Sequence, residues 1–168
     1  MRIALIGNAA GGKSTLSRRL ADTHDLPLYE IDKWQWGPGW EPKPEAEYAP
    51  LHEAAIEGER WVIDGMGTGP LINARLRRAT DIILIDLPIW QHYWLAAERQ
   101  RRWQDLPPGE HPGGNDIPVS TRDLFEMMHK VATVYLPNVR KWAEDLEGPD
   151  TRLHVLHDIE EVGRFELT

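Results

Sequence analysis

Apolar residues along this chain follow two alternating patterns: short solid runs, and longer stretches with a period of three to four. Arg2 to Ile6, Arg60 to Asp64, Asp81 to Leu87 and Arg152 to Leu156 are strand-length runs, with a shorter one at Leu28 to Ile31 after Pro27. Solid runs of this kind predict strands covered on both faces. Between them the period changes. Lys13 to Thr23 places Leu16 and Leu20 on one helical face; Glu45 to Glu57 does so with Tyr48, Leu51 and Ala55, and Pro70 to Arg78 with Ile72 and Leu76. From Ile89 to about Trp103 the inward stripe is expected to be Trp90, Tyr93, Trp94 and Ala97. Ser120 and Asp123 form a capping-box pattern ahead of a stripe of Leu124, Met127, Met128, Val131 and Tyr135. That period continues through Val139, Trp142 and Leu146, which predicts one long helix kinked at Pro137. A short helix closes the chain. Strand and helix in alternation predict an α/β fold with a parallel sheet.

Two stretches break the pattern. Residues 34–45 (WQWGPGWEPKPE) and 104–120 (QDLPPGEHPGGNDIPVS) are too rich in Pro and Gly for helix or interior strand. The 168 residues contain no internal repeat, so a single domain over 1–168 is expected. The absence of cysteine excludes disulfides, iron–sulfur clusters, cysteine zinc sites and thiol nucleophiles. No apolar run reaches membrane-spanning length and Met1 opens on no signal-peptide layout, so a cytoplasmic protein without membrane contact is expected. The net charge of −8 argues against direct nucleic-acid binding. Seven scattered histidines show no transition-metal spacing. Monomer and homodimer both stay open, since Trp90 and Trp94 suit a core or an interface.

The strongest chemical signal is Gly7-Asn8-Ala9-Ala10-Gly11-Gly12-Lys13-Ser14, which matches G-x-x-x-x-G-K-[ST] between a strand and a helix. Glycines let backbone N–H groups converge on phosphate oxygens, and the helix N-terminus adds roughly half a positive charge. Lys13 would reach the outer phosphates of ATP, and Ser14, with Thr15 beside it, would ligate Mg²⁺. Asp64 ends a strand next to this loop and could hold a Mg²⁺-bound water. Asp64-Gly65-Met66-Gly67 also fits the short D-x-x-G element of GTPases, but no N-K-x-D occurs. Glu30 and Asp32 are read at the end of the second strand, on one side by alternation, with Asp32 orienting or deprotonating an acceptor. Arg99 and Arg102 share a helix face, with Arg101 in reserve, and could stabilise charge on a transferred phosphoryl group. Trp34, Trp36 and Trp40 could stack on a planar substrate, at about 1–3 kcal/mol per base, or cover the core.

The ordered set of the Gly7–Ser14 loop, Tyr29-Glu30-Ile31-Asp32, Trp36-Gly-Pro-Gly-Trp40, Trp61-Val-Ile-Asp-Gly65 and Asp81-Ile-Ile-Leu-Ile-Asp-Leu-Pro88 resembles the adenylate-kinase-like P-loop kinase family. Within it, the chain is most similar to the small proteins called DNA topology modulation proteins. The resemblance spans the whole chain. It implies a three-layer αβα P-loop NTPase fold with a five-stranded sheet of order 2-3-1-4-5. It implies a substrate-binding segment at about 32–57 and a lid at about 103–119, with Gly114-Asn115-Asp116 as its Gly-Asn pattern. The loop at His157, Asp158 and Ile159 would lie against adenine. Met66-Gly67-Thr68 stands where adenylate kinases carry Phe-Pro-Arg, and Ile89 stands where topology-modulation proteins often carry Arg. Arg75, Arg77 or Arg78 is left to replace the acceptor-binding arginine.

The resulting expectation is an ATP- and Mg²⁺-dependent phosphotransferase acting on a small-molecule acceptor. Lys13, Asp32, Arg99 and Arg102 would be catalytic. Residues 7–15 and Asp158 would bind nucleotide, and Ser14 and Asp64 the metal. Glu30, Asp32, Trp36, Trp40, Gly65 and Arg75 would bind the acceptor. The alternative is an ATP-binding regulator of the topology-modulation type with little turnover.

Overall fold

The computed structural model describes residues 1–107, 111, 115 and 117–167. Five parallel strands, β1 (Arg2–Gly7), β2 (Leu28–Glu30), β3 (Trp61–Asp64), β4 (Asp81–Ile85) and β5 (Arg152–Leu156), form one sheet in the order β2-β3-β1-β4-β5. This is the order the family resemblance implies. The central strands alternate faces residue by residue. Ala4, Ile6, Trp61, Ile63, Ile82 and Leu84 face one core, and Ile3, Leu5, Val62, Ile83 and Ile85 face the other. All eleven are fully buried. A strand apolar on both faces needs cover on both, and the helices supply it.

On the first face lie α2 (Ile31–Gln35), α3 (Glu45–Glu57), α4 (Gly69–Arg78) and α7 (Leu136–Leu146), through Ile31, Ala55, Ile56, Ile72, Leu76, Leu136, Val139 and Ala143. On the second lie α1 (Lys13–His24) and α8 (Ile159–Arg164), through Leu16, Leu20, Ala21 and Val162. A smaller third core joins α5 (Ile89–Arg101) and α6 (Thr121–Lys130), where Ala96, Leu124 and Met128 pack against Ala9 and Ala10. Asp123 N–H donates to Ser120 Oγ at 3.1 Å, as the capping-box pattern predicts.

Four expectations need correction. The second strand stops at Glu30, and Ile31 to Gln35 coils into a helix, so Asp32 is a first-turn helical residue and not a strand residue. In α3, Leu51 points outward at 50% exposure, while His52 is buried beside Tyr48, Ala55 and Ile56. In α5 the expected stripe splits: Trp90 is 63% and Trp94 53% exposed, while Tyr93 stacks on Phe125 in the third core, and His92 and Ala96 face inward. This helix spreads its contacts over the loop after β1, α6 and, through Leu95, the edge of the sheet core, so its inward face is not its most apolar one. In α6, Met127 is exposed while Leu124 and Met128 are buried, and Tyr135 beyond it is also exposed.

The helix expected to kink at Pro137 runs on from Thr121 to Leu146, with a π-helical stretch at Val131–Tyr135 just ahead of the proline. Proline offers no N–H and its ring crowds the carbonyl four residues back, here that of Thr133. The wider turn, closed by Leu136 N–H on the Val131 carbonyl, takes up the misfit.

Because Ile63 is fully buried and Leu51 is not, Ile63→Ala should cost about 2–5 kcal/mol by urea unfolding. Leu51→Ala should stay within about 0.5 kcal/mol of the parent.

Candidate active site

The loop after β1 begins at Gly7, which pairs with Ile85 of β4. A Cβ on Gly7, whose φ is +144°, would sit 2.5 Å from the Ile85 carbonyl oxygen, so only glycine fits there. The chain then turns through Asn8 and Ala9 to Gly12, which caps α1. Asn8 is buried; its Nδ2 donates to the Met128 carbonyl at 2.7 Å, and its Oδ1 accepts from Ala9 N–H at 2.8 Å. Lys13 Nζ donates to the Asn8 carbonyl at 2.7 Å, folding the ammonium back over the loop. Ser14 and Thr15 are exposed at the start of α1.

Opposite the loop stands Asp64 at the end of β3, only 4% exposed. Its Oδ2 lies 3.5 Å from Ser17 Oγ, and its Oδ1 has no partner among the described residues. A buried carboxylate oxygen without a partner is costly. Beside a serine-bearing helix start, this donor set fits Mg²⁺ held through oxygen and water.

Asp32 keeps solvent on its outer side while protein crowds it from behind. Desolvation by that protein raises its pKa above the usual carboxylate range. The charges acting on it are Lys13 and Arg99, which oppose the rise, and Asp64 and Glu30, which add to it. Arg75, on α4, is fully buried. Its Nη2 donates to the Gly65 carbonyl at 2.6 Å, while Nε and Nη1 have no partner among the described residues. Burial pulls its pKa down to about 10 against the pull of Asp64 and Asp32. Burial likewise lowers the pKa of Arg99 on α5, whose Nε is buried without a partner among the described residues; Asp32 acts to raise it. Lys13, Asp32, Asp64, Arg75 and Arg99 therefore form one coupled set drawn from α1, α2, β3, α4 and α5.

The other sequence candidates fall at its edges. Glu30 pairs with Arg18 at 2.9 Å and with Lys33. Arg102 is exposed at the end of α5 and is not among the charges acting on Asp32. Arg101 pairs with Glu98 on the surface at 2.5 Å. Asp158 caps α8, its Oδ1 accepting from Glu161 N–H at 2.8 Å. Trp34 packs on the sheet core near Tyr29, with ring centroids 5.8 Å apart. Trp36, Trp40 and Trp103 form a row of rings, at centroid spacings of 6.1 and 6.2 Å.

That row joins the 32–57 segment to the 103–119 segment. Trp40 Nε1 donates to the Ile117 carbonyl at 2.7 Å, and Asn115 Oδ1 accepts from Gly39 N–H at 2.8 Å and from Trp40 N–H at 3.4 Å. Gly114 and Asp116 lie outside the described residues. Two histidines at the site were not legible as site residues: His92, on α5 under the phosphate loop, and His52, on α3 beside Arg75. Neither has metal spacing, and both sit on helical faces that read as ordinary. The one available signal is a polar residue on the inward side of a helix.

No protein-family model matches the chain, and no curated protein matches it in sequence. Solved structures match in fold. A gluconokinase from Sinorhizobium meliloti 1021 aligns with TM-score 0.51 and 15% identity, over 96% of this chain and 86% of that one. Shikimate kinase from Aquifex aeolicus vf5 aligns with TM-score 0.47 and 22% identity, over 96% and 91%. An uncharacterized protein from Eubacterium ventriosum ATCC 27560 aligns with TM-score 0.46 and 14% identity, over 94% and 90%. The gluconokinase match, with the sheet order, identifies the fold as that of the P-loop kinases. None of these names supports the topology-modulation resemblance. Among the described residues no helix is long and apolar enough to cross a membrane.

His52 is 1% exposed, and burial first, then Arg75, lowers its pKa from 6.5 to about 4. The unfolded chain therefore binds more protons between these values, and stability is lost as pH falls through them. Unfolding in urea should show about 2 kcal/mol less stability at pH 5 than at pH 7 from this residue. His52→Leu should shrink the difference by about that amount.

Proposed function

We propose that this protein is a P-loop phosphotransferase that moves the γ-phosphoryl group of ATP to a hydroxyl of a small-molecule acceptor. The observation that carries the reading is the position of Asp32: a carboxylate facing the phosphate-loop lysine and Arg99 at the open rim of the sheet. A nucleotide-binding module has no need of a carboxylate there. A kinase does, because the acceptor hydroxyl must be held in line with the phosphorus and lose its proton.

The loop amides of residues 8–13 and the Lys13 ammonium bind the β- and γ-phosphates. Ser14 and Asp64 hold Mg²⁺, which when bound neutralises phosphate charge. Asp32 accepts a hydrogen bond from the acceptor hydroxyl. As the oxygen bonds to the γ-phosphorus and the bridging oxygen leaves with ADP, the proton passes to the Asp32 carboxylate. Arg99 balances charge on the transferred group. Arg75 sits buried in the same charge cluster and holds the Gly65 carbonyl just after β3. The 103–119 segment serves as a lid over the acceptor, with Trp36 and Trp40 as its floor, and excludes water from the transfer. The acidic chain and its open, charged cleft support a polar small molecule as acceptor and not a nucleic acid.

The test follows ATP by ³¹P NMR against a panel of nucleosides, nucleoside monophosphates, sugars and hydroxy acids. One acceptor should give a new phosphorylated product. Lys13→Ala should lower its formation about 10²-fold or more, and Asp32→Asn about 10²–10⁴-fold with ATP binding retained. ATP transfer that survives Lys13→Ala would overturn the reading. ATP binding without any product across the panel would favour a nucleotide-gated regulator instead.

A further inference from the structure

The nucleotide-binding reading leaves several buried titratable groups unused, and one of them touches the loop after β1. His92 is 1% exposed and lies on α5, one helical turn before Ala96 and two before Arg99. Its Nδ1 is 2.7 Å from the Ala9 carbonyl oxygen. A carbonyl only accepts, so Nδ1 carries the hydrogen. Burial lowers the pKa of the ring, Lys13 lowers it further, and the bond to Ala9 opposes both. The ring is thus the neutral Nδ1–H tautomer, and its buried Nε2 has no partner among the described residues.

Two backbone observations show what this contact does. Ala10, the next residue, has φ +59°, a left-handed conformation that alanine adopts only when its surroundings hold it there. Gly11 follows, and a Cβ on it would lie 2.7 Å from His92 Cε1. The imidazole occupies the space a side chain at residue 11 would fill, and bonds the carbonyl that precedes the strained residue. Left alone, that peptide would relax toward ordinary backbone angles and turn its carbonyl.

We propose that His92 is the positioning residue of the phosphate loop. Its Nδ1–H pins the Ala9 carbonyl away from the anion, so that the neighbouring loop N–H groups stay turned toward the nucleotide phosphates. The inference rests on the nucleotide reading above, and adds that the loop is held in its binding shape by a side chain of α5. Loops of this kind pay for binding by ordering themselves, and one already held pays less.

The test measures dissociation constants of MgATP and MgADP by calorimetry for the parent protein, His92→Leu and His92→Asn. Asparagine can place an N–H close to the position of Nδ1; leucine fills the volume and cannot donate. His92→Leu should weaken both nucleotides about tenfold or more, while His92→Asn should stay within about threefold of the parent. Unfolding midpoints without nucleotide should not follow that order, which separates positioning from general support of the fold. Equal affinities in the parent and His92→Leu, or equal losses in the two variants, would overturn the inference and leave the nucleotide reading intact. A parent protein that binds neither nucleotide would overturn both. Should His92→Leu not fold, the parent protein still decides: long-range ¹H–¹⁵N spectra should show His92 as the Nδ1–H tautomer, and an Nε2–H tautomer would overturn the inference.

Discussion

The close pass of Gly7 by the Ile85 carbonyl governs the layout of this molecule. It sets Gly7 of β1 against Ile85 of β4 with no room for a side chain at residue 7, and the loop starts there. Register then propagates from that point. Leu5 stands opposite Asp64, and Asp64 opposite Glu30, so β3 and β2 end where the loop begins. A carboxylate at the end of β3 and the first turn of α2 are thereby delivered to the rim of the phosphate loop. The site's charges are products of strand register as much as of the residues that carry them.

Much of the fold was legible because apolar runs and periods report burial directly. The strands follow from solid apolar runs, and the α3 bounds and the capping box at Ser120 from residues whose partners lie close in sequence. The misreadings have different causes. Where a helix packs partly on a loop, as α5 does, its inward face need not be its most hydrophobic face. In α5 the inward side carries His92 and Ala96, while Trp90 and Trp94 are outside. In α3 a buried histidine displaces Leu51 from the expected stripe. Asp32, expected at a strand end, lies in the first turn of α2, because Ile31 is equally at home ending a strand or opening a helix. The Gly7–Ser14 loop was legible as a pattern, because phosphate-binding chemistry fixes spacing in sequence. Arg75 was one of three candidates that only the direction of α4 separates: it is buried, Arg77 is exposed and Arg78 is half-buried.

The chain as a whole is acidic, at −8, yet its cleft gathers Lys13, Arg75 and Arg99 around two carboxylates. This local inversion is suited to holding an anion at one place without making the surface adhesive to anions in general. Burial weakens the protonated form of both arginines; Asp64 and Asp32 act in the opposite direction at Arg75, and Asp32 at Arg99.

One helix reaches both halves of the cleft. α5 has His92 under the phosphate loop and, two turns on, Arg99 facing Asp32. A straight helix transmits displacement along its length with little loss. Under the function proposed above, a shift of the ring at one end would carry the guanidinium at the other, so nucleotide occupancy and acceptor geometry would share a single mechanical coordinate. Thermodynamic reciprocity then applies: whatever free energy the first ligand lends to the second, the second returns in equal measure.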